Sequence, residues 1–198
     1  MIMKNLGYIK KELIKIYGEE KTKAIIALGQ KHYQECLLLC QGASKGECMH
    51  LENTILPTVS FYKALLEIDN ENALRNTTAI LIGLCEKGGI ALNYILKFPG
   101  MKVVFMKFLS KIATKMFGRE CGFVYTNFQA DGKSLQMDMT MCPYLKYANI
   151  FKVTELAPLF CESDFATYGN LSGITFTRTE TLGTGGQKCD FRFFRTDK

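Results

Sequence analysis

Two short segments in the last third of the chain combine the side chains best suited to chemistry. The first, FCESDFATYG, covers residues 160–169. If it is helical, Cys161 and Asp164 lie three residues apart on one face, with Tyr168 one turn beyond. A thiol beside a carboxylate and a phenol could form a catalytic cluster, but a neighbouring carboxylate raises the pKa of a thiol. A reactive thiolate here therefore needs a compensating cation or a helix N-terminus.

The second segment, GITFTRTETLGTGGQKCDFRFFR, predicts two strands joined by a glycine-rich loop. Arg178 continues the strand face of Ile174 and Phe176, where a cation is unusual unless it is paired or lies at the rim of a cavity. Its guanidinium could clamp a substrate carboxylate or supply the cation that a thiolate requires. The alternatives are exposure at the strand end or an ion pair with one of the nearby acids, Glu155, Glu162 and Asp164.

Two further cysteines lie at strand ends. Cys189 shares a strand face with Phe191 and Phe193, which favours packing as a small apolar residue. The loop before it, LGTGG, is longer than a tight hairpin requires, and exposed glycine amides can bind an anion. Cys142, in MCPY, lies where a strand breaks into a helix, a common place for active-site residues.

Neither the eight cysteines nor the two histidines form a known metal-binding motif. No CxxC occurs, and both His32 and His50 lie in the N-terminal quarter, so a Cys–His pair requires one of them to fold back onto the site. An alternative hypothesis has Cys142, Cys161 and Cys189 converging on a metal whose bound water attacks. The favoured hypothesis requires no cofactor, and the sequence carries no signal for an oligomeric state.

The elements that must position these residues follow from apolar periodicity. A helical first part, residues 1–118, precedes a sheet-bearing part, residues 119–198, that holds the site. Gln41 to His50 is expected to be a loop, Gly88-Gly89 a bend, and Asp131-Gly132-Lys133 the turn of a hairpin. The expected helices are Tyr8 to Tyr17, Glu19 to Cys40, one restarting near Pro57, Asn72 to Phe98, a basic helix ending at Gly118, and a segment after Pro143 interrupted by Pro158. In the basic helix an apolar stripe lies opposite the lysines at positions 107, 111 and 115: Phe105, Phe108, Leu109, Ile112 and Met116. In the strand after the hairpin turn, alternation predicts one apolar face: Leu135, Met137, Met139 and Met141. The predicted fold class is α+β, a single domain with a helical N-terminal layer packed on a four-stranded, mainly antiparallel sheet.

Composition limits the classes of protein to which the chain can belong. It has 198 residues, 47% of them hydrophobic, with no long uninterrupted apolar run and no signal-peptide core, so we expect a cytoplasmic protein without a membrane span. Six basic and no acidic residues occur from Lys97 to Arg119. A membrane surface or nucleic acid could bind this helix, but a solvated lysine face explains it, and no nucleic-acid partner is expected.

The chain resembles the L-2-amino-thiazoline-4-carboxylic acid hydrolase family in three ordered segments: MDMTMCPYLKYANIF, LAPLFCESDFATYGNL and FTRTETLGTGGQKCDFRFF. The resemblance implies an enzyme that opens a five-membered thiazoline ring on the route from that compound to cysteine. It points to a set of site residues that largely repeats those above: Cys142, Cys161, Asp164, Arg178, Thr181, Gly185, Gly186, Cys189 and Asp190.

These observations predict a hydrolase that opens a small cyclic C–N or C–S substrate such as L-2-amino-thiazoline-4-carboxylate. Cys161 or Cys189 attacks and Asp164 shuttles the proton, while Arg178 and the glycine amides hold the substrate carboxylate. The partner is thus an anionic small molecule, bound by a further set of side chains and amides: Cys142, Tyr168, Thr181, Gly185 and Gly186. The alternative is a sensor module of the same fold that binds a small molecule or metal without turnover.

Overall fold

The computed structural model describes residues 5–196 and has helices first and a sheet last. The helices are α1 (Leu6–Leu38), α2 (Lys45–His50), α3 (Leu56–Ile68), α4 (Asn70–Leu96), α5 (Met101–Met116), α6 (Pro143–Ile150) and α7 (Ala157–Tyr168). The strands are β1 (Val124–Ala130), β2 (Ser134–Met141), β3 (Ile174–Thr177) and β4 (Cys189–Arg195). This arrangement confirms the predicted α+β class.

The sheet has the order β1-β2-β4-β3 with antiparallel neighbours throughout. Met139 of β2 faces Cys189 of β4 in register, and Asp138 faces Asp190. The alternation in β2 is as predicted, because Leu135, Met137 and Met139 are buried on one side. Met141, which the same alternation assigned to the apolar face, is 54% exposed at the strand end.

Two clusters of buried side chains form the interior. One lies among α1, α3, α4 and the segment from α6 to α7; the other lies between the sheet and α5. Tyr144 packs against both clusters. The helical layer therefore covers the sheet mainly through α5 and α7, and a site between the two clusters is lined by both halves of the chain.

The stretch predicted as a loop, Gln41 to His50, is helical from Lys45 onward. Ser44 accepts a hydrogen bond from the backbone N–H of Glu47, and the Glu47 side chain accepts one from Ser44 N–H in return, so a capping box starts α2. A π-helical turn, Leu51–Ile55, then joins α2 to α3 without a break. The prediction of a loop was wrong from Lys45 onward because it was based on the glycines of the segment and gave no weight to the capping residues Ser44 and Glu47.

Two glycine positions in the long helices had different outcomes. Gly18 breaks α1 with a φ of +74°, at the boundary predicted between two helices. Gly89, where a bend was expected, lies within continuous helix in α4. A Cβ there would lie 2.6 Å from the carbonyl oxygen of Thr167, so the glycine permits close packing of α4 on α7.

Helix α4 is long and apolar enough to cross a membrane by length and composition. The sequence did not predict such a helix because the chain has no long uninterrupted apolar run. Core helices of soluble proteins meet the same criterion, and α4 packs against α3 and α7, although only 22% of its most apolar window is buried. In the basic helix α5 the lysines at positions 107, 111 and 115 are exposed, as expected of a solvated face. Phe108, expected in the opposing apolar stripe, is 59% exposed.

Candidate active site

A cavity of about 320 Å³ lies between the two clusters. Its walls come from α2 and the π-helical turn, the end of α5, β2, α7 and β4. Six of the predicted site residues line it: Cys142, Cys161, Asp164, Tyr168, Arg178 and Cys189. Residues that are 47 positions apart in sequence, Cys142 and Cys189 among them, therefore share one chamber.

The thiols of Cys161 and Cys189 form the centre of the polar wall. Helix α7 carries Cys161 one turn after its start at Ala157, and the thiol is hydrogen-bonded to Cys189, to the Thr181 side chain and to Gly183 N–H. Cys189 begins β4 and accepts a hydrogen bond from Leu182 N–H at 3.3 Å. The glycine-containing loop thus folds over the two sulfurs and donates to both.

These contacts separate the pKa values of the two thiols. The hydrogen bond from Cys189 lowers the pKa of Cys161, assisted by Thr181, Gly183 and the Arg178 charge and opposed by burial. The same hydrogen bond, together with burial, raises the pKa of Cys189. Cys161 is therefore the thiolate of the pair and Cys189 is its hydrogen-bond donor.

Gly183 reaches this position because it lacks a side chain. A Cβ at Gly183 would lie 2.7 Å from Cys161 Sγ and 2.7 Å from the carbonyl oxygen of Ala157. No substitution can keep the loop this close to α7 without moving one of these atoms. The sequence interpretation emphasised Gly185 and Gly186, whereas the close approach is made by Gly183.

Gly185 and Gly186 lie beyond the cavity wall, and their amides are already bonded. Gly185 N–H donates to Leu182 O and Gly186 N–H donates to Thr181 O within the turn. Gly185 has a φ of +88°, which explains a glycine at that position. Their role in binding a substrate carboxylate stays a prediction that these bonds do not favour.

Asp190, which the resemblance included, organises the same turn from outside the cavity. Its carboxylate accepts hydrogen bonds from Thr179 N–H, the Thr179 hydroxyl and Glu180 N–H, each at 2.8 or 2.9 Å. These bonds lower the pKa of Asp190 against the opposing effect of burial. Asp190 thereby fixes the backbone between Arg178 and Thr181.

Arg178 follows β3 and is almost wholly enclosed, with 3% of its side chain exposed. Its two terminal nitrogens donate to Asp164 Oδ2 at 2.8 Å and to the carbonyl oxygen of Cys161 at 2.6 Å. The guanidinium also lies 5.1 Å from the ring centre of Phe165 and 5.2 Å from that of Phe191. The ion pair weighed as an alternative is thus present, and Arg178 supplies the cation next to Cys161.

Asp164 faces the cavity with 30% of its side chain exposed. Burial raises its pKa to about 7, and the Cys161 charge adds to this, while Arg178 acts in the opposite direction. At neutral pH the carboxyl is therefore divided between its acid and base forms. A group in that condition can both donate and accept a proton during one reaction cycle.

A family model described as L-2-amino-thiazoline-4-carboxylic acid hydrolase matches residues 48–193 of this chain. The chain belongs to this family. No curated protein and no solved structure matches the chain. The matched range includes every residue of the polar wall. It also includes His50, two residues after the range begins at residue 48.

The cavity also contains a second polar pair, His50 and Tyr144, which the sequence did not predict. His50 Nε2 donates to Met116 O at 2.8 Å, so its Nδ1 accepts from the Tyr144 hydroxyl, 3.1 Å away. Burial lowers the pKa of His50 and raises that of Tyr144. His50 does fold back onto the site, as a neutral imidazole bonded to a phenol; His32 instead bonds Glu35 and Glu67.

The remaining predicted side chains act as wall rather than as metal ligands. Burial raises the pKa of Cys142 to about 12 and that of Tyr168 to about 12, so both are neutral at physiological pH. Within residues 5–196 no group of three or more His, Cys, Asp and Glu side chains is arranged to hold a metal ion. The arrangement in which Cys142, Cys161 and Cys189 share a metal is therefore not formed in this part of the chain.

Proposed function

We propose that this chain is a hydrolase that opens a small cyclic amidine-type ring, such as that of L-2-amino-thiazoline-4-carboxylate, with Cys161 as the nucleophile. The observation that carries the proposal is the Cys161 thiol with its lowered pKa, held on the wall of a cavity by Cys189, Gly183 and Thr181. A thiolate is the reactive form of cysteine, and structural buried cysteines lack this set of donors.

In the first step the Cys161 sulfur bonds to the ring carbon that lies between nitrogen and sulfur. The bond from that carbon to the ring sulfur breaks, and the leaving sulfur takes a proton from the acid form of Asp164. The product of this step is an isothiourea that joins Cys161 to the opened substrate. Asp164 is now a carboxylate beside Arg178, the partner that stabilises it.

In the second step water adds to the same carbon and gives one proton to Asp164. A proton moves from the added oxygen to the substrate nitrogen, the carbon–sulfur bond to the enzyme breaks, and a carbamoyl-cysteine leaves. Cys161 returns to the thiolate and Asp164 to the acid, so the net reaction consumes one water. Cys189 donates its hydrogen bond to Cys161 Sγ at the start and at the end of the cycle.

The remaining groups position the substrate. The Tyr168 hydroxyl supplies a neutral donor suited to the carboxylate of such a ring, and the Tyr144 oxygen, whose proton is donated to His50, supplies an acceptor for the amino group. The substrate is an anionic small molecule, and the free thiols suit a reducing, cytoplasmic compartment.

Anaerobic incubation of the purified protein with L-2-amino-thiazoline-4-carboxylate, followed by mass spectrometry, tests the proposal. We expect catalytic formation of carbamoyl-cysteine by the unsubstituted protein and by Cys40→Ala, a half-buried cysteine outside the cavity. Cys161→Ala should lose turnover. Saturable binding of the thiazoline with no product would instead place the chain among binding modules.

A further inference from the structure

The polar wall with its two thiols makes up only part of the cavity lining. The thiols, Asp164 and Arg178 occupy the polar wall, whereas the rest of the lining is dominated by methionine, leucine and phenylalanine. These apolar members are Met49, Leu109, Met116, Phe117, Phe123, Met137, Met139, Phe160, Phe191 and Phe193. A five-membered ring with an amino group and a carboxylate offers little apolar surface to such a lining.

The size of the cavity leads to the same conclusion. A volume of about 320 Å³ is room for at least ten water molecules at about 30 Å³ each. It falls within the range of cavities that bind ligands much larger than a single small ring, roughly 300–1,000 Å³. A molecule bound through its ring alone would leave most of the apolar lining without contact.

A second cavity, of about 110 Å³, adjoins the first between α1, α3 and α4. Asn53, Thr54 and Cys85 line both cavities, so they lie where the two cavities adjoin. Asn53 and Thr54 belong to the π-helical turn, a conformation that is frequent at functional sites. The second cavity is otherwise lined chiefly by apolar side chains, including Phe61, Ile80 and Leu84.

One polar atom in the second cavity has no partner within the described residues. Thr77 is 5% exposed, lines this cavity, and its hydroxyl makes no hydrogen bond. Leaving a buried hydroxyl unpaired is unfavourable, and a ligand atom that bonds it removes that penalty. The buried hydroxyl of Thr22 is also unpaired but lines neither cavity, so it provides an internal comparison.

We propose that the substrate of this chain carries an apolar chain on the reactive ring, and that the second cavity binds its far end. The ring lies at Cys161, the chain follows the apolar lining past Asn53 and Thr54, and a hydrogen-bonding atom near its end meets Thr77. The second cavity takes three to four carbon-sized groups, at about 30 Å³ each. The position of the ring rests on the proposed function; the apolar selectivity does not.

Binding of a homologous series tests this inference. The probes are 2-(alkylamino)-thiazoline-4-carboxylates with methyl, propyl, pentyl and heptyl chains, titrated by calorimetry into Cys161→Ala protein, which binds without turnover. We expect affinity to rise about three- to fourfold per added methylene. Leu84→Phe, which narrows the second cavity alone, should abolish the gain from the longest chains and leave methyl binding unchanged.

Thr77→Val and Thr22→Val form the matched pair. Both remove an unpaired buried hydroxyl and should raise thermal stability, but only Thr77→Val should weaken, by about fivefold, a heptyl analogue that ends in a hydroxyl. Equal affinities for methyl and heptyl probes, no effect of Leu84→Phe, or no binding by any probe would overturn the inference. Chain-dependent binding by Cys161→Ala, together with no hydrolysis of the same probes by the unsubstituted protein, would reject the proposed reaction and retain the second cavity as a binding site.

Discussion

An aspartate paired with an arginine lies on each side of the sheet, and the pKa values of the two aspartates differ. Asp138, 2% exposed on the side away from the cavity, is bonded by Asn127, Lys188 and Arg192. These bonds lower its pKa to about 2 against the opposing effect of burial. Asp164, on the cavity side, is bonded by Arg178, and burial raises its pKa to about 7.

On the proposed function, the difference separates a structural charge from a catalytic one. Asp138 has enough donors to remain ionised at any physiological pH, so it stabilises the strands and can do no proton transfer. Asp164 has too few donors to offset its burial, and its side chain retains access to the cavity. An aspartate–arginine pair thus identifies a site only when its hydrogen bonding is incomplete and a cavity adjoins it.

Replacing each aspartate by asparagine should reduce activity strongly in one case and hardly at all in the other. Asp164→Asn removes the proton donor to the leaving sulfur, so kcat/KM should fall by about 100-fold or more. Asp138→Asn leaves the cavity intact and should keep activity within about threefold after correction for the folded fraction. Steady-state kinetics on both variants decides this, and equal losses would mean that Asp164 is also only structural.

Substitution of two loop glycines tests the same side of the sheet. Gly183→Ala places a methyl group against Cys161 Sγ and should lower kcat by about tenfold to 100-fold. At Gly185 a Cβ has open space but a φ of +88°, so Gly185→Ala should cost about 1 kcal/mol of stability and leave kcat largely intact. A larger kcat loss in Gly185→Ala than in Gly183→Ala would contradict the account.

The rate should depend on pH through Asp164. Its acid form is required, and its pKa is raised to about 7, so kcat/KM should fall about tenfold per pH unit above that value. The Cys161 thiolate remains available there because the pKa of Cys161 is lowered. A pH–rate profile that rises steadily through neutrality would show that no acid with this pKa takes part.

Cysteines of the same cavity should differ in alkylation. Cys161, with its lowered pKa, should react with iodoacetamide at neutral pH about tenfold faster than Cys142, whose pKa is raised to about 12. Peptide mapping of briefly treated protein measures both rates. Faster modification of Cys142 than of Cys161 would show that Cys161 is not the reactive thiol of the cavity.

Stability should respond to acid in opposite directions on the two sides. The pKa of Asp138 is lowered, so its contribution is present above about pH 4 and is lost as pH falls towards 2; Asp138→Asn should cost about 1 kcal/mol at neutral pH. The pKa of Asp164 is raised, so the folded state binds its proton more tightly and stability declines as pH rises from about 4 to 7. Denaturant unfolding at several pH values measures both effects. Asp138→Asn should abolish the loss of stability below about pH 4, and Asp164→Asn should abolish the decline between about pH 4 and 7.

Local patterns predicted the parts of the molecule that depend on neighbours in sequence. Alternation in β2 and the spacing of Cys161 and Asp164 on α7 needed only strand and helix geometry. Phe108 and Met141 belong to the apolar faces that periodicity assigns, yet both are exposed, because periodicity assigns a face but not what covers it. The capping box at Ser44 was readable, whereas the π-helical turn after it has no comparable sequence signal.

The tertiary part of the site lay beyond sequence reasoning. His50 and Tyr144 are 94 residues apart, and only the packing of the two clusters brings them together. The contact of Gly183 with α7 likewise depends on the tertiary position of the loop. The sequence therefore indicated the adjacent glycines, Gly185 and Gly186, as the binding residues instead. Arg178 was found because a cation on an apolar strand face is anomalous even without a structure.

The most direct test of the central claim is to trap the intermediate on Cys161. Protein mixed with L-2-amino-thiazoline-4-carboxylate is quenched in acid before one turnover is complete, digested, and mapped by mass spectrometry. We predict the mass of the intact substrate on the peptide that contains Cys161, and on no other cysteine peptide. Turnover at full rate with an unmodified Cys161 would contradict the account. An adduct found on Cys189 alone would contradict it as well.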